Sequence, residues 1–285
     1  MSFGDRLAAV FAGRGRLCVG IDPHAHLLDA WGLSDSADGV RAFGLAVVEA
    51  AAGRAGIVKP QVAFFERFGS AGYAALEEVL AAARAAGLLV IADAKRGDIG
   101  TSVTAYAEAW LTPGSPLEAD AMTVAAFQGV GSIAEPLRLG EQHGKGLFVL
   151  AATSNPEAAA IQQAVVASGE RAGLTVARAI IEDVHSFNQA QPEHALGTAG
   201  LVLGATVDLA DYGIDVATAP RTPVLPVLAP GFGHQGALVA DAPRIFGSYA
   251  PGVIVSESRG LLNAGPSGLA DAIDRRAEEV RASHG

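Results

Sequence analysis

Three charged residues at the end of one apolar run carry the strongest chemical signal in this chain. The run Leu88-Leu89-Val90-Ile91-Ala92 reads as a buried strand and leads into Asp93-Ala94-Lys95-Arg96-Gly97-Asp98. Side chains alternate along a strand, so Asp93 and Lys95 are expected on one face. Gly97 lets the chain turn, and Asp98 follows just past the strand end. Two carboxylates around one ammonium keep a lysine charged beside a reacting carbon and repel an incoming anion. Taken alone, D-x-K-x-x-D also fits a structural ion pair capping a strand. The elements around it decide between the two.

Short apolar strand candidates recur at Arg16–Asp22, Ile57–Lys59, Leu88–Asp93, Ala121–Val124, Leu147–Thr153, Leu201–Thr206, Val224–Ala229 and Gly252–Ser256. Alanine-rich stretches with helical spacing separate them. In Ala74–Ala86, Leu76, Val79, Leu80 and Ala83 share a face. In Ser267–Ala282, Ser267 is placed as the N-cap and Leu269, Ile273, Ala277 and Val280 form the apolar stripe. Eight strands alternating with helices predict an α/β fold, a (β/α)8 barrel filling residues 1–285 as one domain; such barrels take about 250 residues. The rival is an open doubly wound sheet. One connection is long. Between strands five and six, Ser154–Gly200 holds helix candidates near Glu157–Ser168 and Thr175–Gln189, a helical insertion expected to decorate the barrel.

In such a barrel the C-terminal strand ends surround one mouth. Here they carry Asp22, Lys59, Asp93 with Lys95, Thr153-Ser154-Asn155, Pro230-Gly231 and Glu257-Ser258-Arg259-Gly260. Each could be a turn residue or a surface pair by itself; their convergence points to a site. Gly231-Phe232-Gly233-His234-Gln235-Gly236 matches G-x-G-x-x-G, but it follows the seventh strand and opens no first βαβ unit, so a dinucleotide is not expected. Loops after strands seven and eight of barrels often bind phosphate through backbone N–H groups. Arg259 would add a forked cation for its oxygens.

Half the chain is hydrophobic and 18% is charged, enough for a large core and incompatible with global disorder. The net charge of −10 excludes a general nucleic-acid binder. With the one cysteine, Cys18, no intrachain disulfide or cysteine-based zinc cluster can form, and a packed core thiol is expected. The seven histidines show no metal-binding spacing, and His24 and His26 read as surface residues. No G-x-S-x-G elbow occurs. No leader and no membrane span are expected, which fits the cytoplasm.

The chain resembles the orotidine 5′-phosphate decarboxylase family, in its longer bacterial form. The resemblance runs from Cys18-Val19-Gly20-Ile21-Asp22-Pro23 to Ser258-Arg259-Gly260. It is most specific at Val58-Lys59-Pro60-Gln61 with Phe64-Phe65-Glu66, and at Asp93-Ala94-Lys95-Arg96-Gly97-Asp98-Ile99-Gly100. It implies a (β/α)8 barrel working as a homodimer with no metal and no cofactor. The implied reaction converts orotidine 5′-monophosphate to uridine 5′-monophosphate and carbon dioxide. By motif position, Lys59, Asp93, Lys95 and Asp98 would form the charged array, Asp98 reaching into the partner's site. Asp22 and Lys59 would meet the ribose hydroxyls and Ser154 the pyrimidine edge. Gly231, Gln235, Arg259 and Gly260 would hold the phosphate, and Ser102 or Thr101 would add a contact across the dimer. One departure is Ala126-Phe127, where the longer form often carries Pro-Tyr.

Two other functions fit parts of the pattern. A phosphosugar enzyme of the 3-keto-hexulose-phosphate type shares D-x-K-x-x-D but uses a divalent cation, so a chelator would silence it. Arg96-Gly97 and Lys59-Pro60-Gln61 favour the orotidine type. A non-catalytic nucleotide-binding protein would bind without turnover, but the intact charged array speaks against decay.

Overall fold

The structure, a computed structural model, describes residues 1–190, 194–218 and 221–284. Eight strands close into a parallel barrel in sequence order, which excludes the open sheet. They are β1 (Leu17–Ile21), β2 (Ile57–Pro60), β3 (Leu89–Arg96), β4 (Ala121–Val124), β5 (Gly146–Ala152), β6 (Ala199–Leu203), β7 (Val227–Pro230) and β8 (Val253–Glu257). Both faces of nearly every strand are buried, and so the strands read as continuous apolar runs in the sequence. Alternation sorts each run. Cys18, Ile57, Leu89, Ile91, Ala121, Phe148, Val202, Leu228 and Ile254 form one cluster, the barrel interior. Val19, Val58, Val90, Val149, Leu201, Val227 and Val255 belong to a second, larger cluster that includes the apolar faces of the surrounding helices.

Those helices are α1 (Phe3–Arg14), α2 (Ala37–Ala51), α3 (Gly69–Ala85), α4 (Gly100–Leu111), α5 (Ala134–His143), α6 (Val176–Asn188), α7 (Ala242–Phe246) and α8 (Gly265–His284). Helix α1 lies outside every sequence expectation. It closes the N-terminal end of the barrel, with Phe3 and Leu7 in the interior cluster and the Phe3 ring edge-on to Phe148 at 5.9 Å. A capping box between Ser2 and Asp5 starts it. In α3 the buried face is Leu76, Val79, Leu80 and Ala83, as the spacing predicts, although the helix begins five residues before Ala74. In α8 the stripe Leu269, Ile273, Ala277 and Val280 is buried. That helix starts at Gly265, so Ser267 sits inside the first turn and is not the N-cap.

The segment between β5 and β6 is helical, as expected, but its parts differ. Thr175 caps α6 by accepting from the Arg178 N–H. Helix α6 packs on both β5 and β6, so it is part of the barrel's covering layer and not an ornament. The expected helix over Glu157–Ser168 is shorter. It consists of a 3-10 turn, Pro156–Ala158, and one helical turn, Ala159–Gln162. The chain then loops back, and Val165 bridges to Thr175.

Candidate active site

The two-residue period that fills the barrel interior also builds the site. One further step along each strand replaces an apolar side chain with a polar one: Ile57 gives way to Lys59, Ile91 to Asp93, Ala121 to Thr123 and Ile254 to Ser256. These groups meet at the C-terminal mouth. Lys59 Nζ donates to Asp93 Oδ2 at 2.8 Å, and Lys95 Nζ donates to Asp93 Oδ1 at 2.6 Å. One buried carboxylate thus stands between two ammonium groups. Lys95 Nζ also donates to Gln61 Oε1 at 3.2 Å.

Asp93 and Lys95 converge as expected, but simple alternation is not the cause. Lys95 adopts a φ of 49°, the left-handed region that a non-glycine residue enters rarely. That kink lets an exposed residue at the rim turn its ammonium back onto Asp93. Burial works against the charge on Lys59, yet Asp93 and Asp22 outweigh it and hold its pKa above the ordinary lysine value. Burial likewise opposes ionisation of Asp93, and Lys59 and Lys95 reverse that, holding the carboxyl well below the usual range. Cys18 is a buried thiol beneath this array, pushed up to about 12 chiefly by burial.

A cavity of about 190 Å³ opens beside the array, lined among others by Asp22, Lys59, Asp93, Gly231, Gln235 and Arg259. Asp22 Oδ1 is buried there without a hydrogen-bond partner. Arg259 makes no ion pair among the described residues, unlike a surface salt-bridge arginine. The glycine-rich loop is tight: Gly231, Gly233 and Gly236 all have positive φ. Within it the Gly233 N–H donates to the Ala237 carbonyl and the Gly236 N–H to the Gly233 carbonyl. Gly233 and Gly260 both close on Glu257: a Cβ at either would lie 2.2 or 2.0 Å from Glu257 Oε1. Glu257 is 2% exposed and its Oε2 lies 2.7 Å from Arg276 Nε. Burial pushes its pKa up, with Arg276 pulling the other way. A larger cleft of about 1000 Å³ lies between the loops after β6 and β7, and of the expected site residues it includes Gln235.

Other expected residues are not brought in by this chain. Asp98 accepts from its neighbour's N–H, at Ile99, and does not reach Lys95. Ser102 and Thr101 lie exposed on the first turn of α4. Ser154 is exposed after β5 and does not line the cavity. Its neighbour Thr153 is held by Gln162, whose Oε1 accepts the Thr153 N–H at 2.9 Å and whose Nε2 donates to Thr153 Oγ1 at 3.0 Å. At the departure after β4, Ala126 is buried and Phe127 exposed. His26 is exposed as expected, but His24 is half-buried, its ring 4.3 Å from that of Phe64. Thr123 joins the site without having been singled out, and Gln61 and Glu257, named only within the motif and the strand end, had been given no role. Gln61 lies two residues beyond Lys59 in the motif, and Thr123 is the one polar residue of β4, which were the available signals.

Residues 15–266 match the model of the orotidine 5′-phosphate decarboxylase / HUMPS family. The chain is 48% identical over 285 residues to an orotidine 5′-phosphate decarboxylase of Salinispora tropica, covering 99% of this chain and 98% of that protein. A crystal structure from Streptomyces avermitilis, provisionally assigned the same name, superposes with a TM-score of 0.91 at 48% identity, covering 99% of this chain and 96% of that one. The OMP decarboxylase structure of Leishmania donovani superposes with a TM-score of 0.76 at 29% identity, covering 100% and 99%. The matched family spans every strand of the barrel and the whole charged array, and the chain belongs to the orotidine 5′-phosphate decarboxylase / HUMPS family.

Proposed function

We propose that the protein converts orotidine 5′-monophosphate to uridine 5′-monophosphate and carbon dioxide, the last step of de novo pyrimidine synthesis, without a metal or organic cofactor. The Lys59–Asp93–Lys95 chain of contacts carries this conclusion. Breaking the bond from C6 to the carboxylate leaves an electron pair in the plane of the ring, where it cannot delocalise into the π system. The barrier in water is therefore very high, and enzymes at the upper end lower such barriers by about 23 kcal/mol. A protonated Lys95 at C6 stabilises the developing carbanion and then gives C6 its proton; solvent reprotonates the amine. Asp93 keeps Lys95 charged and aimed, and Lys59 keeps Asp93 ionised in its buried place.

Around this centre, Asp22 and Lys59 take the ribose hydroxyls, and the unpartnered Asp22 Oδ1 supports that role. Arg259, Gln235 and the backbone at Gly231 and Gly260 hold the phosphate, and Ser154 reads the pyrimidine edge. The working unit is a homodimer. Asp98 and Ser102 lie outside their own chain's site, beside exposed apolar side chains: Ile99 at 60% and Phe127 at 76% exposure, with Tyr106 nearby on α4. A second copy covering this face would carry Asp98 and Ser102 to the neighbouring site. None of the described helices is long and apolar enough to cross a membrane, which supports a cytoplasmic place.

The test is the ultraviolet absorbance change of the purified protein with orotidine 5′-monophosphate in excess EDTA. Rapid conversion to uridine 5′-monophosphate is expected. A folded protein that binds uridine 5′-monophosphate yet converts nothing under these conditions would refute the proposal.

A further inference from the structure

The regular pairing of β3 with β4 runs through Ala92 opposite Met122 and then shifts, so that Arg96 stands opposite Val124. Two more residues lie on β3 than on β4 across this interval, a bulge that bends the strand. Lys95 sits inside it at φ 49°. A residue there loses its regular ladder partner, and an unpaired buried N–H is costly. The side chain of Thr123 supplies the partner: Thr123 Oγ1 accepts the Lys95 N–H at 2.9 Å. A backbone N–H can only donate, so the single hydroxyl proton of Thr123 is left for its other contact, Asp93 Oδ1 at 2.8 Å. That is the same oxygen that accepts Lys95 Nζ. The ring is closed: lysine backbone, threonine hydroxyl, aspartate oxygen, lysine ammonium.

We infer that Thr123 is a positioning residue for Lys95, its hydroxyl tying the lysine's left-handed backbone to the carboxylate that receives its ammonium. This rests on Lys95 being the proton donor proposed above. Thr123 is 1% exposed and does not line the cavity beside Asp22 and Arg259, so it acts through Lys95 and not on the nucleotide. Valine fills nearly the same space but neither accepts nor donates. In Thr123→Val the Lys95 N–H and one Asp93 lone pair lose their partner, the kinked residue is held only by the ladder beyond it, where the Ala125 N–H donates to the Arg96 carbonyl, and the ammonium drifts from its place. Misplacement of about 1 Å can cost about 100-fold in rate.

The experiment measures kcat and KM for orotidine 5′-monophosphate, and the affinity for uridine 5′-monophosphate by calorimetry, in wild type, Thr123→Val, Thr123→Ser and Lys95→Ala. Thr123→Val is expected to lower kcat by about 100-fold with KM and product affinity within about threefold, and Thr123→Ser to restore kcat to near wild type. Two results overturn the inference: a kcat for Thr123→Val within threefold of wild type while Lys95→Ala is inactive, or equal losses in the valine and serine variants, which would mean that filling this buried position, and not the hydroxyl, is what matters. Turnover of Lys95→Ala within tenfold of wild type would instead remove the proton-donor role beneath it. If near-ultraviolet circular dichroism shows that Thr123→Val does not fold, Thr123→Cys takes its place, with the same loss expected and an unchanged kcat overturning the inference.

Discussion

The two sides of the barrel mouth are built differently. On the side of β2, β3 and β4 the charged groups of the array partner one another within the chain: Lys59 and Lys95 both hold Asp93, and Thr123 pins the bend. On the side of β7, β8 and β1, Arg259 has no ion pair among the described residues, Asp22 Oδ1 has no hydrogen-bond partner, and His234, Gln235 and Gly236 are exposed. The first side is closed by its own contacts, and the second presents polar groups that this chain leaves unpaired. Electrostatic catalysis requires the first property, because dipoles and charges that need no reorganisation stabilise a transition state best. Binding energy from a remote group requires the second, because contacts made on arrival can drive closure. The charge states fit this division. With Asp93 held below and Lys59 above their ordinary values, neither changes charge between about pH 4 and pH 10.

If the first side performs the chemistry, its loss must appear in turnover. Lys95→Ala is expected to lower kcat by about 10⁴-fold or more, because both charge stabilisation and proton donation disappear together. The affinity for uridine 5′-monophosphate should change by less than tenfold, as measured by calorimetry. A large loss of affinity with unchanged kcat would reverse the roles assigned to the two sides.

If the second side supplies binding, Arg259→Ala must weaken the nucleotide. Two charge-assisted hydrogen bonds at roughly 1.5–3 kcal/mol each correspond to a rise in KM of about 10²–10⁴-fold. Steady-state kinetics over a wide substrate range would detect it. A KM within threefold of wild type would leave the phosphate without its main cation.

The proposed homodimer sharpens the comparison, since under that proposal the first side has its own ion pairs but takes Asp98 from the second copy. Asp98→Asn and Lys95→Ala, each nearly inactive alone, are expected to complement when their subunits are mixed. A hybrid dimer joins the lysine of one chain to the aspartate of the other at one of its two sites. With half the dimers hybrid, about a quarter of wild-type activity should return. Denaturing the two variants together, refolding and assaying the mixture measures this. No recovery, with hybrid dimers verified by mass, would place Asp98 in its own chain's site or outside the chemistry.

The sequence showed one side of the mouth more clearly than the other. Strand ends carrying Asp22, Lys59, Asp93 and Arg259 were legible because they converge on one barrel mouth, although each alone would pass for a turn residue or a surface pair. Thr123 was not, because a β-branched hydroxyl inside Ala121-Met122-Thr123-Val124 is an ordinary strand former. The kink at Lys95 was hidden too, since a non-glycine left-handed residue follows from the bulge with β4, a contact between distant segments. Helix α6 was located, but its place against β5 and β6 depends on the closed barrel. Helix α1 was missed although Ser2 and Asp5 hold a capping box, because its buried face is small: Phe3, Gly4 and Leu7.

The smallest expected effect separates the two sides within one measurement. Amide hydrogen exchange reports how often a hydrogen bond opens. In the glycine-rich loop the Gly233 and Gly236 N–H groups donate only to carbonyls within Gly233–Ala237, and His234, Gln235 and Gly236 are exposed. The Lys95 N–H donates to the hydroxyl of a buried residue on a neighbouring strand. Saturating uridine 5′-monophosphate should slow exchange in the loop by about tenfold or more, since a bound phosphate favours the closed state in proportion to its binding energy. At Lys95 exchange should remain as slow as it is without ligand, because that bond exists before the nucleotide arrives. Equal slowing at both places would mean that the catalytic side is also ordered by the ligand. No change in the loop would mean that the phosphate meets a site already formed.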